Sequence, residues 1–234
     1  IEKYVANNNL VINFNRVLKD MNTFKVFPFT ALQLTFLGFQ KFATTKLNLP
    51  RSTVIVAAKR TPIGTFLGKM SKLKGSELGS IAINGALDST GLPGDQIRNL
   101  VDEVILGNVC SAGMGQAPAR QAAIGAKLPI NVPCTTINKV CASGMKTLMY
   151  AAQSIAVGNS NVVVAGGFES MSNVPHYVTG HRTGHSFGNQ QLIDGLAYDG
   201  LTDVYNNIAM GLCAEKTASD FKVDRATQDE FSYA

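Results

Sequence analysis

Residues 138–167 read NKVCASGMKTLMYAAQSIAVGNSNVVVAGG, and this stretch decides the fold class. It predicts a long helix over 140–157, because Lys146 is the only charge there and Gly158 follows as a stop. Such a composition indicates a helix that is buried on nearly all sides. The continuous apolar run at 161–165 then predicts a strand that is buried on both faces.

The same alternation of strands and helices extends toward the N-terminus. Apolar runs at 53–58 and 104–106 predict two further strands. Helical spacing of apolar residues predicts a helix at 76–90, and an alanine-rich composition predicts another at 117–126. Strands that alternate with helices favour an α/β fold in which helices cover a mostly parallel sheet.

The composition excludes several classes of protein. The chain has 234 residues, of which 45% are hydrophobic, so it is not disordered as a whole. Its net charge of +5 is a property of residues 1–75, which hold 12 Lys and Arg against two acids, whereas residues 76–234 are net acidic. We therefore expect no nucleic-acid partner. Four Cys without CxxC spacing exclude a disulfide scaffold and the usual zinc frameworks.

The first 50 residues form a predicted N-terminal extension. From Met21 to Arg51 the chain contains Lys and Arg but no acid, with Ser/Thr-type hydroxyls interleaved. This pattern is typical of a mitochondrial transit peptide, and a secretory signal or a structural arm stays open as an alternative. The apolar stretch at 26–39 is interrupted and shorter than the roughly 20 residues that cross a bilayer, so we expect no membrane span.

Cys141 is the candidate nucleophile, because it lies where a turn enters the helix predicted over 140–157. Backbone N–H groups at a helix N-terminus stabilise a thiolate, and the thiolate is the reactive form of cysteine. A buried cysteine that only packs as a small apolar side chain is the alternative.

Several segments of the chain resemble the thiolase family in order and approximate spacing. The motif NKVCASGMK resembles the segment that carries the family's nucleophile. The other similar segments are VAAKRTPIGTFLG (56–68), GNVCSAGMGQAPARQAAIGAKLP (107–129), VVVAGGFESMSNVPH (162–176) and DGLTDVYNNIAMG (199–211). The wording around Cys141 is most similar to the mitochondrial branch that handles acetoacetyl-CoA.

The resemblance implies a thiolase-like α/β fold and an acyltransferase activity. The family's N-terminal βαβ half, with its buried central helix, corresponds to a core domain at 51–169, and an incomplete loop domain follows at 170–234. Cys141 would become acetylated by one acetyl-CoA, and the carbanion of a second would attack it to give acetoacetyl-CoA and CoA. The reverse reaction is thiolysis of acetoacetyl-CoA.

The same resemblance suggests the remaining site residues and partners. His176 and, more weakly, Met171 are expected to line the acyl-CoA pocket. The expected partners are acetyl-CoA, acetoacetyl-CoA, CoA and further copies of the chain in a dimer or tetramer. No metal and no cofactor beyond the CoA thioesters is expected. The implied location is the mitochondrial matrix.

Other functions stay open at this point. One is the β-oxidation branch of the same family, whose substrates are 3-ketoacyl-CoA thioesters, and another is a non-catalytic thiolase-like protein. A Cys–His hydrolase is the third. Residues 184–188 also match the G-x-S-x-G motif of serine hydrolases, but all three His precede Ser186, so we interpret the match as accidental. His181 and His185 are four residues apart and could share a helical face for a metal, but Gly180 and Gly184 favour a loop there. The family's Gly-His-Pro histidine and second cysteine have no counterpart here, so we expect no turnover by this chain alone.

Overall fold

The computed structural model describes residues 52–234, so the predictions for the extension at 1–50 lie outside the described residues. The helices and strands are, in chain order, α1 (Gly75–Asp88), α2 (Gly94–Asn99), β1 (Glu103–Gly107), α3 (Pro118–Gly125), β2 (Cys134–Ile137), α4 (Ser143–Ala156), β3 (Val163–Gly167), β4 (His176–Tyr177), β5 (Ile193–Asp194), α5 (Gly195–Gly200), β6 (Thr202–Asp203), β7 (Ile208–Ala209), α6 (Met210–Asp220) and α7 (Arg225–Tyr233).

A parallel sheet organises the first part of these residues. β1 lies in the middle and pairs with β2 on one side and β3 on the other. Val104 is opposite Cys134 in β2 and Val164 in β3, and both pairs are parallel. β1 and β3 are almost entirely buried, as expected for strands that are covered on both faces. The prediction of an α/β fold with a mostly parallel sheet is confirmed.

The two faces of the sheet bury different helices, because side chains alternate along a strand. Val104, Leu106 and Val164 lie in one apolar cluster together with residues of α1 and α3. Ile105 and Val163 belong to a second cluster, in which α4 supplies Ala151 and Ile155. Helix α4 therefore covers the opposite face from α1 and α3.

Local sequence explains where several helices begin. Pro118 opens α3 at its first turn, where its missing N–H costs nothing. Asp194 and Asp224 cap α5 and α7, since their side chains accept backbone N–H groups from Leu196 and Thr227 at 2.9 and 2.8 Å.

The N-terminus of α4 approaches the sheet unusually closely, and glycines make this possible. A Cβ atom on Gly107 would lie 2.7 Å from the Ser143 Cβ and 2.8 Å from the Gly144 backbone nitrogen. A Cβ on Gly167 would lie 3.3 Å from the Gly144 Cα. Glycine at the ends of β1 and β3 therefore leaves the space that the helix occupies.

The prediction of a strand at 53–58 is wrong. The segment has no partner strand among residues 52–234, and Ile55 and Val56 are 40% and 38% exposed. An apolar run becomes a strand only where a neighbouring strand supplies backbone hydrogen bonds. Only Ala57 of this segment joins the core.

Two predictions for the central helix also need correction. It begins at Ser143 rather than at Val140, because the residues before Ser143 form a turn. It is not buried on nearly all sides, since Met145 and Met149 are 53% and 50% exposed. No element among residues 52–234 covers that apolar face. The low number of charges therefore indicated an apolar helix, but it did not show whether another element covers that helix.

Short hairpins and helices make up most of residues 170–234. β4 pairs with β5 and β6 pairs with β7, each in a two-residue antiparallel ladder. The predicted boundary between a core domain (51–169) and a loop domain (170–234) stays a prediction. Within residues 52–234, none of the helices has the length and apolar character required to cross a membrane.

Replacing Gly107 with Ala should destabilise the chain, because the added methyl group would meet the backbone of α4. Overpacking of this kind costs about 1–3 kcal/mol. Gly85→Ala is the matched control, since its Cβ would meet only the Lys59 side chain at 3.8 Å, and alanine favours a helix by about 1 kcal/mol. Chemical denaturation should give a lower midpoint for Gly107→Ala and a higher one for Gly85→Ala. Equal midpoints for the two variants would disprove the close contact between Gly107 and the N-terminus of α4.

Candidate active site

A cavity of about 100 Å³ lies at the carboxyl ends of the three parallel strands. This is the edge at which open α/β sheets bind ligands. It is surrounded by the residues that follow β1 and β3, by the turn before α4 and by one side of α5. Its lining includes Asn108, Cys110, Cys141, Ser143, Gly144, Glu169, Met171, Leu196 and Gly200.

Cys141 is exposed on a tight turn directly before α4. Val140, which precedes it, has φ +47°, a left-handed conformation that is costly for a β-branched residue. The side chain of Asn138 accepts the Val140 N–H at 2.9 Å, and the Ser143 hydroxyl donates to the Val140 carbonyl at 2.6 Å. The Ser143 hydroxyl oxygen also accepts the Lys139 N–H at 2.8 Å.

These hydrogen bonds hold the Cys141 turn in a strained shape at the positive end of a helix. An anion is stabilised there, and no acidic residue lies in the first turn of α4 to oppose it. The geometry places an exposed thiol at the cavity wall, directly before the N-terminus of a helix.

Cys110 lies on the same cavity but in a different environment. It is 5% exposed, and its burial, followed by the charges of Glu169, Asp199 and Asp194, raises its pKa to about 11. Cys110 is therefore held as an unreactive thiol at neutral pH. Of the two cysteines that line the cavity, Cys141 is therefore the exposed one and Cys110 the buried one.

Glu169 is a site residue that sequence reasoning missed. Its Oε2 accepts the Val109 and Cys110 N–H groups at 2.8 and 3.3 Å, and its Oε1 accepts the Asn108 amide at 2.9 Å. Burial raises its pKa, although these three hydrogen bonds act in the opposite direction. The one signal in the sequence is an acidic residue two positions after a buried strand.

The structure brings together two of the three site residues predicted from sequence. Cys141 and Met171 both line the cavity. His176 does not line it, because it is exposed in β4 opposite Asp194 of β5. A role for Met171 or His176 in binding substrate stays a prediction.

The serine-hydrolase motif at 184–188 finds no support in the geometry. The G-x-S-x-G match at 184–188 is exposed and begins at Gly184, which has φ +82° and follows a short 3-10 turn. A nucleophile elbow needs a strand before and a helix after its serine. Within residues 52–234, no group of three or more His, Cys, Asp or Glu side chains could hold a metal ion.

The family model of the thiolase N-terminal domain matches residues 53–234 of the chain. The chain belongs to the thiolase family. Curated relatives include acetyl-CoA acetyltransferase 2 of Arabidopsis thaliana, with 54% identity over 183 residues, and the mitochondrial acetyl-CoA acetyltransferase of Homo sapiens, with 52% over 182 residues. Each alignment covers 78% of this chain, but only 44% and 41% of these two relatives.

A solved thiolase has the same fold. The Acat5 thiolase from Ascaris suum, crystallised in complex with coenzyme A, is 42% identical with a TM-score of 0.69. The match covers 76% of this chain and 45% of that one. The thiolase fold predicted from the sequence motifs is thereby confirmed, and the chain spans less than half the length of these relatives.

Iodoacetamide should alkylate Cys141 much faster than Cys110, Cys134 or Cys213. Cys141 is exposed at a helix N-terminus, Cys110 is buried with a raised pKa, and the other two are partly buried. Mass spectrometry of peptides from a time course measures the four rates separately, with Cys141→Ser as the control. Equal rates at all four cysteines would refute the assignment of Cys141 as the reactive thiol.

Proposed function

We propose that the chain carries the acyl-accepting half of an acetyl-CoA acetyltransferase site, with Cys141 as the nucleophile. The observation that supports this most directly is the position of Cys141. It is an exposed thiol on a strained turn at the N-terminus of α4, and it faces a cavity at the carboxyl ends of a parallel sheet. The names of the relatives supply the substrate class.

The proposed first step transfers an acetyl group from CoA to Cys141. The thiolate attacks the thioester carbonyl carbon, and the negative charge moves to the carbonyl oxygen. The donor proposed to stabilise that oxyanion is the backbone N–H of Cys141 itself. When the oxyanion collapses, the bond to the CoA sulfur breaks and CoA leaves as a thiolate, which takes up a proton from water.

The proposed second step joins two acetyl groups. A second acetyl-CoA loses a proton from its methyl carbon, and the resulting carbanion attacks acetyl-Cys141 to give acetoacetyl-CoA and the free thiolate. No histidine among residues 52–234 lines the cavity. We therefore propose that the group that removes this proton lies outside the cavity lining described above.

CoA thioesters are proposed as the only small-molecule partners, without a metal or another cofactor. The coenzyme A complex of the related Acat5 thiolase supports the choice of CoA. Family membership supports association into a dimer or tetramer.

Incubation with acetyl-CoA should add one acetyl group to Cys141. The cavity places the thiol beside a helix N-terminus, where attack on a thioester is favoured. Intact-mass measurement under acid quench detects the adduct, and peptide analysis locates it. Cys213→Ser, which changes a partly buried cysteine outside the cavity lining, should still be acetylated. The proposal fails if Cys141→Ser gains the acetyl group as readily as the unchanged chain.

We also propose that the segment from Met21 to Arg51 directs the protein to the mitochondrial matrix. Several relatives are named as mitochondrial enzymes, including those of Homo sapiens and Bos taurus. The segment itself is basic and free of acids, as transit peptides are.

A fluorescent reporter fused to residues 21–51 should enter mitochondria in cells. In the matched control, the four basic residues Lys25, Lys41, Lys46 and Arg51 become Glu, so that length and apolar content are kept while the charge is reversed. Imaging with a mitochondrial marker should show import of the first reporter and a cytosolic signal for the second. Secretion, or the same location for both, would count against the proposal.

A further inference from the structure

The carboxylate of Glu169 contacts the loop after β1, although Glu169 itself follows β3. Its Oε2 accepts the N–H groups of Val109 and Cys110, and its Oε1 accepts the amide of Asn108. Asn108 is 2% exposed, and its amide also donates to the Phe168 carbonyl at 3.4 Å. Glu169 thus fixes the position of the loop at 108–110 across the top of two strands.

The fixed loop contacts the Cys141 turn through one side chain. The carbonyl of Val109 accepts the amide of Asn138 at 3.3 Å. The same amide group accepts the Val140 N–H through its oxygen at 2.9 Å. Asn138 therefore connects the loop that Glu169 holds to the strained residue directly before Cys141.

We propose that Glu169 is a positioning residue for Cys141 and acts through Val109 and Asn138. The N–H of Val109 donates to the Glu169 carboxylate, and the carbonyl of Val109 accepts the Asn138 amide. Each hydrogen bond therefore orients the group that makes the next one. The inference rests on the proposed role of Cys141 as the nucleophile. Its physical basis is the cost of holding Val140 at φ +47°, which requires fixed hydrogen-bond partners.

Two other roles for Glu169 make different predictions. If it served only to stabilise the fold, its loss would lower stability without a specific effect on Cys141. If it acted only through its charge, its neutralisation would speed up reactions of a thiolate on the same cavity, because like charges repel. A positioning role predicts the opposite sign, since a loosened turn removes the thiolate from the helix N-terminus.

The test measures the rate at which iodoacetamide alkylates Cys141 at neutral pH. Glu169→Gln keeps the size of the side chain but replaces one acceptor oxygen with a donor, so it cannot satisfy all three N–H partners. Asn138→Ala removes the hydrogen bond between the loop at 108–110 and the Cys141 turn. Because Asn138 is exposed, this substitution leaves the core unchanged. Each variant should react about tenfold more slowly, the effect of losing one hydrogen bond. Glu169→Asp keeps a carboxylate and should recover part of the rate.

Asp102→Asn is the matched control. The Asp102 carboxylate also accepts two backbone N–H groups, from Asn161 and Val162 at 2.7 and 3.0 Å, but at the opposite end of the sheet. It should lower stability without changing the alkylation rate. The double variant Glu169→Gln/Asn138→Ala should react no more slowly than the slower single variant, because both changes break one chain of contacts.

The outcomes separate the two proposals. Alkylation of Glu169→Gln at an unchanged or higher rate would overturn the positioning role, and so would additive effects in the double variant. Should Glu169→Gln fail to fold, an unchanged rate in Asn138→Ala would overturn it alone. Acetylation by acetyl-CoA is measured separately on the unchanged chain. The absence of acetylation, together with the expected alkylation pattern, would refute the proposed acyl transfer, whereas the control of Cys141 reactivity by Glu169 would still hold.

Discussion

The contact between the N-terminus of α4 and the ends of β1 and β3 is the constraint on which the site depends. Gly107 and Gly167 end the two strands, and a Cβ on either would meet Ser143 or Gly144. Because the backbone of the helix lies against the backbone of the sheet, the turn before the helix is placed at the strand ends. Cys141 is on that turn and therefore faces the cavity.

The environment of each thiol, rather than its identity, separates the two cysteines of the cavity. Burial, followed by the charges of three nearby carboxylates, disfavours a negative charge on Cys110. Cys141 is exposed before a helix whose first turn has no acid. This difference is the reason why we propose Cys141, rather than Cys110, as the thiol that reacts with a thioester.

Sequence patterns predicted the buried strands well, because β1 and β3 each have a run of apolar residues that pack on both sides. The same pattern wrongly predicted a strand at 53–58, because a strand requires a neighbouring strand, which an apolar run does not reveal. The start of α4 was predicted three residues too early. The turn before the helix is shaped by side-chain hydrogen bonds of Asn138 and Ser143, and the helix propensities of the residues do not reveal these bonds. The motif predicted Cys141 as a site residue, and Cys141 lines the cavity. Glu169 was not predicted, because its three partners belong to a different strand end and become neighbours only in the folded chain.

The parallel pairing of β1 also affects how the chain folds. Val104 pairs with Cys134 and Val164, so both neighbours of the central strand come from distant parts of the sequence. Closing such long loops before any contact forms makes folding slower than in helical proteins of similar size. The loop at 108–110, the turn at 138–142 and Glu169 meet only after both pairings exist. The surroundings of Cys141 therefore depend on two long-range strand pairings, so a change that weakens either pairing should alter the site as well as the sheet.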